Sequence, residues 1–225
     1  MEKLTAELNT HTVFTIPLFG GIPVFESVVV TWGIMLFVLV ISLLLTRNLK
    51  VKDPSKGQLL LEMCISKIYG FFTDTIGEGG EQYVPYLVSV LFYIGIANLT
   101  GVIGITPPTK DINVTVALAF MSICLIEAAG VRARGGKGYL KSLAEPIAII
   151  TPINIMEIGI RPLSLCMRLF GNVLGSFVIM ELIKLAVPVG VPAICSLYFD
   201  FFDGLIQAFV FVFLTTLFMR DTMGN

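Results

Sequence analysis

The stretch Ser27-Val-Val-Val-Thr-Trp-Gly-Ile-Met-Leu-Phe-Val-Leu-Val-Ile-Ser-Leu-Leu-Leu-Thr46 runs for 20 residues without a charge. At about 1.5 Å per residue, a helix of that length matches the ~30 Å hydrocarbon core of a bilayer. The rest of the chain has the same character. Of 225 residues, 15 are basic and 16 acidic, so charged residues make up 14%, against about 25% in soluble domains. Hydrophobic residues make up 56%, and the mean hydropathy is +0.89. One soluble core cannot hide that much apolar surface. The composition therefore argues against a cytosolic enzyme and a disordered chain. A net charge of −1 offers no basic field for nucleic acid. The expectation is an all-α polytopic membrane protein, a single membrane domain over residues 1–225, in which the few charges carry the information.

Outward from that stretch, Arg47, Lys50, Lys52 and Lys56 follow at once, around Pro54 and Gly57. Residues 57–76 are less apolar. Gln58, Glu62, Ser66 and Thr73 recur near helical spacing opposite Leu61, Ile65, Ile68 and Phe72. That pattern suits an amphipathic helix on the membrane surface, or one half buried against other helices. Gln82 to Thr109 again carries no charge and ends at Gly104, Pro107 and Pro108, a breaker. A further apolar run opens at Ile112. A second basic segment, Arg132, Arg134, Lys137 and Lys141 among Gly135, Gly136 and Gly138, reads as a flexible loop. The remaining apolar chain is divided at Pro188, Gly190 and Pro192. Five membrane-crossing segments result, at 26–46, 84–104, 112–131, 143–187 and 191–219. The last two are longer than a simple span requires, so they are expected to tilt as a hairpin. The positive-inside rule puts both basic segments in the cytoplasm. It leaves the amino end, 1–25, outside and the carboxyl end inside.

Cys64, Cys124, Cys166 and Cys195 fall singly in apolar stretches, and His11 is the one histidine. This pattern makes neither a zinc site nor a disulfide framework. Glu2, Lys3 and Glu7 at the amino end do not have the layout of a cleavable signal or transit peptide. Gly135-Gly136-Lys137-Gly138 lacks the spacing of a phosphate loop. No cofactor and no nucleotide site is expected.

The last two segments contain Glu157, Arg161, Arg168, Asn172, Glu181, Lys184, Asp200, Asp203 and Gln207. A charge at mid-membrane costs roughly 2.5–3.5 kcal/mol on insertion scales, so such groups rarely face lipid. Glu157, Arg161, Arg168 and Asn172 are spaced i, i+4, i+11 and i+15, near one helix face. Asp200, Asp203 and Gln207 share a stripe on the last helix. Glu157–Arg161 and Glu181–Lys184 have the spacing of local ion pairs, and helix glue is an equal reading of both. Arg168 has no such partner: the nearest acids are 11 and 13 residues away. Its guanidinium stays charged in proteins, so it cannot relay a proton. It can attract a carboxylate and lower its pKa. Arg168 is therefore expected to face a carboxylate on a partner. Gly171 and Gly175 form a small-xxx-small pair, suited to close helix contact or to a flat face toward a partner. Asn98 and Thr100 suit interhelical hydrogen bonds, and Glu127 suits the polar interface.

The run Arg161-Pro-Leu-Ser-Leu-Cys-Met-Arg168-Leu-Phe-Gly-Asn172 closely resembles the signature of the a subunit of F-type ATP synthases. Glu145-Pro146, Pro152-Ile-Asn-Ile-Met-Glu157, Gln207-Ala-Phe, Asn98-Leu-Thr-Gly101 and Lys110-Asp111-Ile-Asn113-Val-Thr115 extend the likeness from about residue 26 to 220. The resemblance implies an ion-translocating stator in a bacterial plasma membrane. Its implied partners are a ring of c subunits, the b subunits of the peripheral stalk, the lipid bilayer and transported H+ or Na+. ATP chemistry would lie on other subunits, so the chain is not expected to be an enzyme by itself. By the same resemblance, Arg168 faces the ring carboxylate, with Gln207 beside it and Asn172 one turn on. Asp111 and Asn113 stand at the mouth of an outer half-channel.

Two departures stand out. Many relatives place a titratable residue nine positions after the arginine, where this chain has Phe177. Relatives often have a histidine or glutamate seven positions before the glutamine, where this chain has Asp200. Asp200, Asp203 and Glu181 are therefore expected to form the outer path. A self-contained secondary ion transporter is the alternative. It calls for an inverted repeat, which the sequence does not display.

Overall fold

The computed structural model describes residues 12–16, 22–47, 49–50, 54–143, 149, 151–187 and 190–224. His11, Lys52, Glu145, Pro146 and Pro188 lie outside the described residues. A short hairpin comes first, with β1 (Thr12–Ile16) antiparallel to β2 (Ile22–Phe25). The all-helical expectation did not foresee it. It leads directly into α1 (Glu26–Thr46), whose 21 residues span about 31 Å. Only Ile34 of α1 is buried, and Leu36, Leu43 and Leu44 are each more than 60% exposed. That is the surface of a helix solvated by hydrocarbon. Near its start, the Thr31 hydroxyl lies 3.1 Å from the Tyr93 hydroxyl.

Helix α2 (Lys56–Ile76) starts where the Ser55 side chain accepts from the Gln58 N–H, a helix N-cap. The Gln58 side chain also bonds both backbone groups of Lys50, each at 3.0 Å. Burial is confined to its last turns: Phe72 and Ile76 are buried, while Leu59, Leu60 and Met63 are exposed. Of the two arrangements the pattern allowed, the carboxyl-terminal half is packed against the bundle. Helix α3 (Val84–Leu99) continues as a 3-10 turn, Thr100–Ile103, and stops at Gly104. Gly104 has φ 81°, a left-handed conformation that glycine adopts without penalty.

Helix α4 (Ile112–Ser142) is capped by Asp111, whose carboxylate accepts from the Asn113 N–H. It runs through the segment expected to be a flexible basic loop. The departure has tertiary causes. The helix breaks at Gly135 (φ 72°, ψ 153°) and folds back, so that the Tyr139 hydroxyl donates to Glu127. Arg134 donates to the Asp221 carbonyl at 3.2 Å. Glu127 is thus tied within the chain.

Helix α5 (Thr151–Ala186) has 36 residues, about 54 Å, well beyond one bilayer thickness. After the division marked by Gly190 come α6 (Val191–Ser196), a seven-residue π-helical segment (Leu197–Asp203) and α7 (Gly204–Met223). The sequence pattern did not anticipate the π segment. Helix α7 is central, packing on α2, α3 and α4, and α4 packs in turn on α5. The core they share includes Phe72, Leu87, Ile126, Leu169 and Phe211. Five helical stretches are long and apolar enough to cross a membrane. The fold is an all-α polytopic membrane bundle.

Candidate ion path

The polar groups of α5 and the π segment meet at a cavity of about 690 Å3 at the end of the bundle that carries Asp111. Five of its lining residues are acidic: Glu26, Asp111, Glu181, Asp200 and Asp203. Lys110 and Lys184 also line it, and Gln207 closes it toward the middle of the bundle. Placing acids around water-accessible space avoids the cost of burying them unpaired.

Four of the five carboxylates have a partner within the chain. Asp111 is 7% exposed. Its Oδ1 accepts from the Asn113 backbone at 2.9 Å and side chain at 3.0 Å, and its Oδ2 from the Ser27 hydroxyl at 2.6 Å. The Ser196 hydroxyl donates to Asp200 at 2.6 Å. Ser176, across the cavity on α5, lies beside the Asp203 carboxylate. Glu181 pairs with Lys184 at 2.6 Å. The Lys110 ammonium sits 3.5 Å from the centroid of the Phe177 ring, within cation–π range. Phe177, at the position where a titratable residue was expected, is thus the seat of a cation from the loop before α4.

Gln207 is 3% exposed. Its Oε1 accepts from Asn172 Nδ2 at 2.6 Å, which joins α5 to α7. Its Nε2 is buried with no hydrogen-bond partner among the described residues. Arg168 lies one turn along α5 from Asn172. Among the described residues it has no ion pair and no hydrogen bond, and its side chain is partly exposed. The face beside it is open. A Cβ at Gly171 or Gly175 would meet nothing within 4 Å, so the glycine pair makes no close helix contact within the chain.

The nine candidate residues therefore divide. Asp111, Glu181, Asp200, Asp203 and Gln207 share the cavity, Asn172 touches Gln207, and Asn113 is exposed but bonded to Asp111. Arg168 lies beyond the cavity. Glu157 is elsewhere, 3.4 Å from Arg161 at the opposite end of α5, where Arg161 also bonds Asp221 at 2.6 Å and the Thr222 hydroxyl at 2.8 Å. The sequence reading missed Ser27, Ser176 and Ser196. Ser176 continues the i+4 series of Arg168 and Asn172, and Ser196 is i−4 to Asp200, so helical spacing was the available signal. Asn98 does make interhelical bonds, whereas Thr100 bonds only the Ala97 carbonyl of its own helix.

Comparison with known proteins gives a consistent result. The family model described as ATP synthase A chain matches residues 28–220. The chain is 35% identical to an ATP synthase subunit a of Moorella thermoacetica, over 90% of this chain and 92% of that one. It is 34% identical to the "ATP synthase subunit a, sodium ion specific" of Propionigenium modestum, over 91% of this chain and 76% of that one. It is 35% identical to an ATP synthase subunit a of a Bradyrhizobium strain, over its full length and 97% of the relative. With the family model matching residues 28–220 and five helices able to span a bilayer, the chain belongs to the ATP synthase A chain family.

Proposed function

We propose that this chain is the ion-translocating stator subunit of a rotary F-type ATP synthase, and that Arg168 separates two half-channels that serve a ring carboxylate. The observation that carries this reading is the state of Arg168. It is a permanent cation without a counter-ion among the described residues, on an open, glycine-bearing face, one turn from the Asn172–Gln207 bridge. Gln207 Nε2, at the inner end of the acidic cavity, is a buried donor without an acceptor among the described residues. A carboxylate supplied by a partner at the open face would satisfy Arg168.

The electrostatics are of useful size. A carboxylate about 4 Å from a guanidinium is favoured by roughly 4 kcal/mol at an effective dielectric of ~20. That corresponds to about three pKa units. A ring carboxylate reaching Arg168 would therefore give up its H+ or Na+, and the fixed charge would oppose an ion crossing straight through. The acidic cavity is the outer half-channel, entered past Lys110 and Asp111 and ending at Gln207. A loaded carboxylate leaves the arginine with the rotating ring, and the ion exits toward the cytoplasm at the Arg161 end. The membrane potential contributes about 2.3 kcal/mol per charge per 100 mV. The partners in this reading are the c-ring and the peripheral stalk in a bacterial plasma membrane, with β1–β2 outside and the end of α7 in the cytoplasm.

Reconstitution with and without a c-ring tests the assignment. A stator gives ion flux only with the ring, whereas coupled flux from this chain alone would mark a self-contained transporter.

A further inference from the structure

Two glycines in this bundle serve space and not conformation. Gly101, on the 3-10 turn after α3, and Gly204, at the start of α7, both lie outside the set of positive-φ glycines. Alanine could adopt either backbone. What the missing side chains allow is a reciprocal fit between two antiparallel elements. Asn98 packs over Gly204, where a Cβ would stand 3.0 Å from the Asn98 Cβ. Asp200 packs over Gly101, where a Cβ would stand 3.1 Å from Asp200 Oδ1 and 3.2 Å from its carboxyl carbon.

Asn98 also fixes the register of the fit. It is 4% exposed. Its Nδ2 donates to the Gly204 carbonyl at 2.9 Å, and its Oδ1 accepts from the Thr109 hydroxyl at 2.8 Å. Gly204 is where the π-helical segment returns to α-helix. A π segment pairs i with i+5 in place of i+4, so its side chains do not follow the α-helical stripe. Something outside it must decide where Asp200 points.

We infer that the Asn98–Gly101 step of α3 is the template that aims the Asp200 carboxylate into the cavity, and that Gly101 is a positioning residue for ion loading. Asn98 clamps the end of the π segment. Gly101, three residues on, leaves a seat for the carboxylate, and Ser196 holds its other oxygen at 2.6 Å. This inference rests on the proposed role of the cavity as the ion-loading path. The other charged groups facing that cavity are Glu26, Lys110, Asp111, Glu181, Lys184 and Asp203, and Gly101→Ala changes none of them directly.

The test is a double-mutant cycle in the assembled complex. It reads ATP synthesis against the outer concentration of the coupling ion. Gly101→Ala adds one methyl against a carboxylate that must move by a few tenths of an ångström. The expected shift in the half-saturating ion concentration is on the order of tenfold, below the ~100-fold that a full ångström of misplacement can cost. The maximal rate should change less. In an Asp200→Ala background the methyl has nothing to displace, so the second substitution should add no further shift. Asn98→Ala, which releases the clamp without adding bulk, should shift the same quantity in the same direction. An unchanged ion dependence for Gly101→Ala, or losses that simply add, overturns the template while leaving the stator reading intact. An Asp200→Ala complex with normal ion dependence overturns the template and removes Asp200 from the ion path, while the stator reading stands or falls with Arg168.

Discussion

Arg161 and Arg168 stand seven residues apart on α5, and the structure treats them in opposite ways. Arg161 is held by Asp221 at 2.6 Å, by Glu157 at 3.4 Å and by the Thr222 hydroxyl, and its guanidinium carbon lies 5.2 Å from the Phe218 ring centroid. Arg168 has no such partner among the described residues. Charges bound in pairs fasten helices together. A charge left open on a glycine-lined face is available to something that moves past. The acids divide in the same way: Asp221 is spent on Arg161, whereas Asp200, held by the Ser196 hydroxyl, and Asp203 line a cavity. One helix thus carries an end whose charges are paired within the chain and a stretch whose cation stands open.

That contrast can be broken at either end. The largest effect short of losing Arg168 should come from the cavity acids. Asp200→Asn with Asp203→Asn should cut ion-driven ATP synthesis about a hundredfold, the lower range for a positioned proton-transfer group. Synthesis at the normal rate would remove these residues from the path. Gln207→Ala deletes one neutral hydrogen bond to Asn172 and a buried donor at the end of the cavity. It should slow synthesis up to about tenfold, since such bonds are worth ~0.5–1.5 kcal/mol; no slowing would make the Asn172–Gln207 bridge mere packing. Arg161→Gln should leave coupling intact and lower the thermal stability of the assembled membrane sector by about 1 kcal/mol or less. Asp221 is 68% exposed, so water can take over its solvation. Loss of coupling in that variant would erase the distinction between the two arginines.

Much of this division is legible in the sequence, for physical reasons. Charge-free runs of helical length have no stable place except a bilayer, so the spans could be read directly. Arg161 and Glu157 lie four residues apart and Arg168 has no acid within a helical turn, so their different fates follow from spacing. The elements that escaped depend on contacts between segments distant in sequence. The choice between i+4 and i+5 pairing at Leu197–Asp203 is made against α3, through Asn98 and Gly204. The glycine-rich basic segment has poor helix propensity. It breaks at Gly135 and is helical on either side, where Tyr139 reaches Glu127 and Arg134 reaches Asp221. Gly171 and Gly175 suit a flat face toward a partner or ordinary helix packing, and only the neighbouring helices decide between them.

The central claim is that Arg168 is the charge against which a partner's carboxylate is unloaded. Its most direct test is ATP-driven ion pumping into vesicles by the complete complex carrying Arg168→Ala, with assembly verified. Pumping should be abolished although the complex assembles. Ion pumping still coupled to ATP hydrolysis in that variant would contradict the account.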